Sequence, residues 1–329
     1  MKTINMNTPR TLRNALMIMA ILIMASTLLS VNNSAAAYMR MGVGARIIAM
    51  GEAGTTVTRD VCSGYWNPAG LTLLKDVEIA TMYNFGLNLD RNHSHVALGS
   101  RLKFGAIAIN WINAGTSNID GYDAAGNPTG TFSDRNNSIA LSYANEYKRL
   151  HFGFTPKYYL STLADETESG FSLDVGAKFD LSQYLEAGVM VRDLYSTFED
   201  EADKIPMEAS VGIAAYPFIG VTFAADLKWE QDEKPYPALG AEYWTSLGKD
   251  PEADSQLNVI TVKERNTWKE SFSYAQTGIR VGFNQKEGQN RFSVGTGVRF
   301  RNFQLDYAFR LNNHAIFSDD HIISLIFRF

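Results

Sequence analysis

From residue 77 to residue 329, apolar and polar or small positions alternate in segments of about ten residues. In one segment Phe171, Leu173, Val175, Ala177 and Phe179 fall on one face, and Ser172, Asp174, Gly176, Lys178 and Asp180 on the other. A period of two belongs to a β-strand, whose successive side chains point to opposite faces. The pattern recurs where Ile219, Val221, Phe223, Ala225, Leu227 and Trp229 alternate with Gly220, Thr222, Ala224, Asp226, Lys228 and Glu230. It recurs again where Phe303, Leu305, Tyr307, Phe309 and Leu311 alternate with Gln304, Asp306, Ala308 and Arg310. The spacing predicts about fourteen strands, over 77–87, 92–102, 103–113, 136–148, 149–161, 170–180, 184–195, 205–217, 218–230, 237–247, 274–284, 290–300, 302–312 and 320–329. An even count suits an antiparallel barrel closed on itself, with Phe223 and Phe292 towards lipid and Thr222 and Ser293 inside.

A soluble sandwich also alternates, so three further features carry the choice. Aromatics recur at strand ends on the apolar face, as in a membrane girdle. Short connections are expected near Arg101-Leu102-Lys103, Lys148-Arg149, Leu181-Ser182-Gln183, Pro217-Phe218 and Arg301-Asn302, and long ones over Ala114–Asp134, Ser161–Ser169, Ser196–Lys204 and Leu247–Ser273. Short turns on one side and long loops on the other is the outer-membrane layout. Within the longest connection, Leu257–Val262 is expected to extend a hairpin above the membrane. The third feature is an export signal. Lys2, Arg10 and Arg13 precede an apolar run from Ala15 to Leu29, and Ala35-Ala36-Ala37 supplies small residues for cleavage before Tyr38. The run is shorter than the ~20 residues a spanning helix needs.

The predicted organisation is a signal peptide over 1–37, an N-terminal hatch or plug over 38–75, and a transmembrane barrel over 76–329. Residues 38–75 do not alternate and are rich in glycine. Gly42-Val43-Gly44 and Gly51-Glu52-Ala53-Gly54 lack the strand and helix that a phosphate loop requires. A compact segment folded into a polar lumen explains them better, because irregular backbone can be satisfied there. Trp66, Asn67, Pro68, Ala69 and Gly70 are read as the turn carrying the chain from the lumen to the wall. The final strand alternates and ends on an aromatic. Leu325, Phe327 and Phe329 are therefore read as a signal for the barrel assembly machinery.

The chain has 329 residues, is 45% hydrophobic and 12% aromatic, and carries a net charge of −5. The mean hydropathy of −0.16 resembles a soluble protein, as expected when only alternate residues face lipid. The net charge points away from nucleic acid. The single cysteine, Cys62, is too far from the signal to be a lipidation site and reads as a small buried residue. His93 and His95 share a strand face but lack further ligands beside them. No serine sits in a nucleophile elbow. No enzymatic activity, cofactor or metal is expected. Asp174, Glu186, Glu208, Asp226, Glu242 and Asp306, with Arg192, Lys228, Arg280, Arg299 and Arg310, are expected to face the lumen as compensating charges.

Several stretches resemble one family in order. Gly44-Ala45-Arg46, Met50-Gly51-Glu52-Ala53 and Tyr65-Trp66-Asn67-Pro68-Ala69-Gly70-Leu71 look like the opening of the PorV/PorQ family, within the FadL-like group of outer-membrane barrels. Gly121-Tyr122-Asp123 with Gly126 to Phe132 resembles its first long loop, and Gly240-Ala241-Glu242-Tyr243-Trp244 a late strand. Leu305 to Phe309 and His321 to Leu325 resemble its last two strands. Ser133-Asp134-Arg135 and the length of Leu247–Ser273 depart from the pattern. The resemblance implies a fourteen-stranded barrel with a hatch, in the outer membrane of a Gram-negative-type bacterium and surrounded by outer-membrane lipid. It implies two functions: a type IX secretion component that engages secretion-system subunits or exported cargo, or a FadL-like channel for fatty acids or other hydrophobic small molecules.

Overall fold

The computed structural model describes residues 38–75, 77–198, 205–247, 275–312 and 318–329. The expected signal peptide and the expected Leu257–Val262 hairpin lie outside the described residues. Fourteen antiparallel strands form a closed barrel in which neighbours in sequence are neighbours in space. They are β1 Glu78–Asn84, β2 Arg91–Leu102, β3 Gly105–Tyr122, β4 Pro128–Tyr147, β5 Leu150–Leu163, β6 Glu166–Asp180 and β7 Leu185–Phe198. The second half comprises β8 Glu208–Ala215, β9 Val221–Glu230, β10 Tyr236–Leu247, β11 Ala275–Asn284, β12 Arg291–Phe300, β13 Phe303–Arg310 and β14 Asp320–Arg328. Closure runs from Glu78 opposite Arg328 to Asn84 opposite Ile322, so the sheet has no edge strand.

The period of two decides which way each side chain points. In β9, Phe223 and Leu227 are about half exposed on the outside, whereas Thr222, Asp226 and Lys228 are buried inside. The inner face of this strand is thus polar and its outer face apolar, the reverse of a soluble barrel and the arrangement a lipid solvent demands. All the charged residues expected in the lumen lie on the inward face of their strands.

Two expectations about connections need correction. Ala114–Asp134 and Ser161–Ser169 are not loops: β3 and β4 pair as far as Tyr122 opposite Pro128, and β5 and β6 as far as Leu163 opposite Glu166. Where both faces of a strand are wet, the alternation fades while the backbone ladder continues. The second correction concerns sidedness. Leu247 pairs with Ala275, and Tyr243 lies opposite Val221 just beyond the short Tyr216–Gly220 connection. The long connection therefore leaves and returns at the tight-turn end, not with the other long connections.

Residues 38–74 contact inward-facing side chains from most of the wall. The helical turn Ala45–Ala49 packs on β11 to β14, and the 3-10 turn Pro68–Leu73 on β2 to β6. Val43, Ile47, Ile48, Met50, Trp66 and Leu71 form an apolar centre within this segment, each at most 2% exposed.

Candidate functional site

The segment is held to the wall by charge on one side and by close backbone approach on the other. Arg46 makes a bidentate contact with Glu242 at 2.8 and 2.7 Å, and Arg280 Nε donates to the same carboxylate at 2.7 Å. Glu52 accepts from Arg310 at 2.5 Å. Burial disfavours the Glu52 carboxylate, but Arg310 together with Lys228, Lys286 and Arg291 outweighs that and holds its pKa below the ordinary value. Between these anchors, Met50 and Gly51 lie against β10 and β11. A Cβ on Gly282 would stand 1.9 Å from the Gly51 nitrogen, and one on Gly240 would stand 2.5 Å from the Met50 carbonyl oxygen. Gly51 itself has φ +65, which glycine adopts without strain. The wall here is backbone alone, and on its outer side an open apolar groove of about 680 Å³ is lined by residues that include Ile213, Phe223, Leu239, Val281 and Phe292.

Trp66 is sealed rather than pocket-forming. Its indole N–H donates to the Val43 carbonyl at 2.8 Å, and its ring lies 5.1 Å from the Arg192 guanidinium and 4.9 Å from the Lys228 ammonium. Asn67 has extended backbone and caps the following 3-10 turn, accepting from the Ala69 N–H at 3.1 Å. Its amide donates to Thr55 O at 2.8 Å and to the strand carbonyls of Ala177 and Val189 at 3.3 and 3.2 Å. Pro68 occupies the first position of that turn, where its missing N–H costs nothing. Ala69 is fully buried, and a Cβ on Gly70 would meet the Thr58 carbonyl at 2.6 Å. At the other terminus, Leu325, Phe327 and Phe329 point outward, and the rings of Phe327 and Phe329 meet edge-on at 4.7 Å.

A third anchor lies at an irregular place in the wall. Between β6 and β7 the register jumps from Leu173 opposite Tyr195 to Val175 opposite Val191, which leaves extra residues in β7. Asp193 sits in this bulge with φ 50, a left-handed conformation that aspartate tolerates better than most residues. The bulge turns its carboxylate inward. Oδ1 accepts from Tyr159 at 3.0 Å and Ser172 at 2.7 Å, and Lys157 Nζ lies 2.6 Å from both Asp193 and Asp174. Arg40, from the N-terminal segment, reaches Asp193 at 3.0 Å, Glu230 at 3.2 Å and Glu208 at 3.5 Å. Arg192 binds Glu208 at 3.0 Å and lies over the Tyr65 ring at 4.5 Å. A cavity of about 20 Å³, room for roughly one water, is lined in part by Arg40, Tyr65, Lys157, Tyr159 and Asp193. Above this point β7 pairs with β6 only, because its pairing with β8 ends at Arg192 opposite Glu208. The site is a charged seam between a buried segment and a broken place in the wall.

The sequence reading missed Arg40, Lys157 and Asp193. A signal was present: Met190 and Arg192 face inward, so a regular strand would have sent Asp193 into lipid. A carboxylate at such a position implies a bulge.

His93 and His95 are buried on the inner face, and His95 Nε2 lies 3.0 Å from Asn110 Oδ1. Among the described residues no group of three or more metal-binding side chains gathers. Cys62 is free and buried, and burial pushes its thiol pKa well up.

The chain resembles three solved outer-membrane channels. The toluene transporter TbuX of Ralstonia pickettii superposes with a TM-score of 0.60 at 12% identity, covering 88% of this chain and 98% of that one. The toluene transporter TodX of Pseudomonas putida gives 0.59 at 10% identity over the same shares. The monoaromatic hydrocarbon channel CymD gives 0.55 at 10% identity, again over 88% and 98%. The likeness shows the fold, a closed antiparallel outer-membrane barrel. No protein-family model matches the chain, and no curated protein matches it in sequence. The likeness is therefore one of architecture: nearly the whole length of those chains superposes while few residues are shared. Those three proteins are described as toluene transporters and a monoaromatic hydrocarbon channel.

Proposed function

We propose that the protein resides in the outer membrane of a Gram-negative-type bacterium and passes small hydrophobic molecules through a lumen that residues 38–74 close as a hatch. The observation that carries this reading is a buried segment sealed into a barrel whose fold matches the toluene and monoaromatic hydrocarbon channels along their whole length. The hatch is held by ion pairs and hydrogen bonds rather than by strand pairing, so it can shift without opening the barrel ladder. The Arg40–Asp193 seam is where movement would create a path. It combines a water-sized void, a break in strand pairing and the first described residues of the chain. The apolar outer groove beside Gly240 and Gly282 gives a hydrophobic molecule a seat on the membrane side. Charge inside the lumen keeps the rest of the hatch in place.

The PorV/PorQ-like secretion reading would rely on the outward hairpin of β3 and β4, which continues to Tyr122 and Pro128 beyond the last pairing with β2 at Thr116 and with β5 at Asp134. The channel reading is supported by the likeness in fold to three hydrocarbon transporters and channels. Uptake of radiolabelled toluene by cells producing the protein decides between them. Uptake should exceed that of cells lacking it, and Arg40→Gln should change the rate. Equal uptake with and without a correctly folded protein, together with co-purification of exported cargo, would reverse the choice.

A further inference from the structure

Among the described residues, the two ends of the barrel differ in exposed charge: acids outnumber Arg135 and Lys234 at the loop end. At the loop end, Asp90, Asp120, Asp123, Asp165, Glu166 and Glu233 are exposed. At the tight-turn end every exposed charged side chain among the described residues is cationic, including Lys103, Lys148, Arg149 and Arg301. The two nearby acids are engaged, Glu146 by Arg101 at 3.3 Å and His151 at 3.2 Å, and Asp180 by His151 at 3.5 Å.

Three of these cations gather on neighbouring turns. Lys103 and Phe104 form the turn between β2 and β3, and Lys148 and Arg149 the turn between β4 and β5. The Phe104 carbonyl accepts from the Tyr143 hydroxyl at 2.7 Å and from the Asn145 amide at 3.1 Å, which ties the first turn to the foot of β4. Two strand spacings separate the turns, about 10 Å, and lysine and arginine side chains can converge on one phosphate across that span. Phe104 and Tyr147 are 64% and 66% exposed beside them, and the Lys148 ammonium lies 5.2 Å from the Tyr147 ring. Immediately towards the membrane, Ile107, Leu150, Phe152 and Phe154 present an outward apolar surface. A ligand with an anionic head and apolar tails fits both parts at once.

We propose that Lys103, Lys148 and Arg149, framed by Phe104 and Tyr147, bind the headgroup of an anionic glycerophospholipid in the leaflet at the tight-turn end. Each basic residue near a membrane surface attracts anionic lipid, and the aromatic side chains fix the depth of the rim at the headgroup level. The next two turns around the same end carry Leu181, Tyr184, Phe218 and Ile219 exposed and no cation, so the preference is set at the β2–β3 and β4–β5 turns.

The full-length protein, placed in nanodiscs of equal phosphatidylglycerol and phosphatidylcholine, tests this by native mass spectrometry of retained lipid. Phosphatidylglycerol should be retained over phosphatidylcholine by about threefold to tenfold at low salt, and less at high salt. K103Q/K148Q/R149Q should bring the ratio close to one while the unboiled barrel keeps its folded gel mobility. D165N/E166Q/E233Q at the loop end should leave the ratio unchanged. Excess inorganic phosphate, against chloride at matched ionic strength, should not displace the lipid. Equal retention of the two lipids by the unaltered protein, a preference that survives the triple glutamine variant, loss of preference in the loop-end variant, or displacement by inorganic phosphate would each overturn the proposal.

Discussion

At the residue scale, the seat of the N-terminal segment depends on contacts that tolerate no added atom. Gly282 is the sharpest case, since a Cβ there would run into the Gly51 nitrogen and the Met50 carbonyl carbon at 1.9 and 2.3 Å, both backbone. Cys62 reports on this seat. It is 4% exposed, and its raised pKa keeps it in the unreactive thiol form. Alkylation by a small maleimide should therefore be slow in the folded barrel and fast after denaturation, with each tenfold of protection equal to about 1.4 kcal/mol of opening. Overpacking costs about 1–3 kcal/mol, so Gly282→Ala should speed the reaction by roughly tenfold. Val281→Ala, on the outer face, should not. Equal rates in all three proteins would show that the close approach at β10 and β11 does not govern the segment. Asp193 belongs to the same scale: its positive φ and its four side-chain partners come from the register jump between β6 and β7.

At the element scale, each strand separates two solvents. Phe223, 50% exposed, faces lipid, and its neighbour Thr222, 7% exposed, faces the lumen. Phe223→Arg should lower the unfolding free energy in vesicles by about 2–4 kcal/mol if the site lies at the midplane, and by less towards either rim. Thr222→Asn, a small polar change inside a polar lumen, should shift it by less than about 0.5 kcal/mol. Urea unfolding in lipid vesicles measures both, and similar losses would contradict the assigned faces. Arginine at Thr222 is not a fair control, because the lumen there is already filled by the pairing of Glu242 with Arg46 and Arg280. The same scale explains the misjudged loops. Alternation marks a strand only where its faces meet different surroundings, so the upper parts of β3, β4, β5 and β6 keep their ladders without keeping the pattern.

At the scale of the whole molecule, the barrel closes through backbone hydrogen bonds and the segment inside it through side chains. Deleting Met41–Ser63 removes Arg46, Glu52 and the apolar centre around Ile47 and Ile48, but no strand pair. The shortened protein should still insert and migrate as a folded barrel before heating. Its single-channel conductance in a planar bilayer should rise well above that of the full chain, because a filled lumen becomes a water-filled one. The charges left behind, Glu242, Arg280 and Arg310 among them, would then be hydrated rather than stranded. Unchanged conductance with a folded barrel would show that residues 41–63 do not close the path.

The fourteen strands, their faces and their antiparallel order were legible in the sequence, because a period of two is a property of single strands and each carries its own record of lipid on one side. The luminal charges such as Asp306 and Arg310 were legible for the same reason. The partners of those charges were not. Arg46 with Glu242 and Arg40 with Asp193 are separated by well over a hundred residues, and only closure of the ring brings them within reach. The end at which the Leu247–Ala275 connection lies was decided by counting strands through the folded topology, not by its length. The bulge at Asp193 and the glycine contacts of Gly240 and Gly282 depend on what packs against the strand from inside. Local sequence fixes which way a side chain points; tertiary structure alone decides what it meets there.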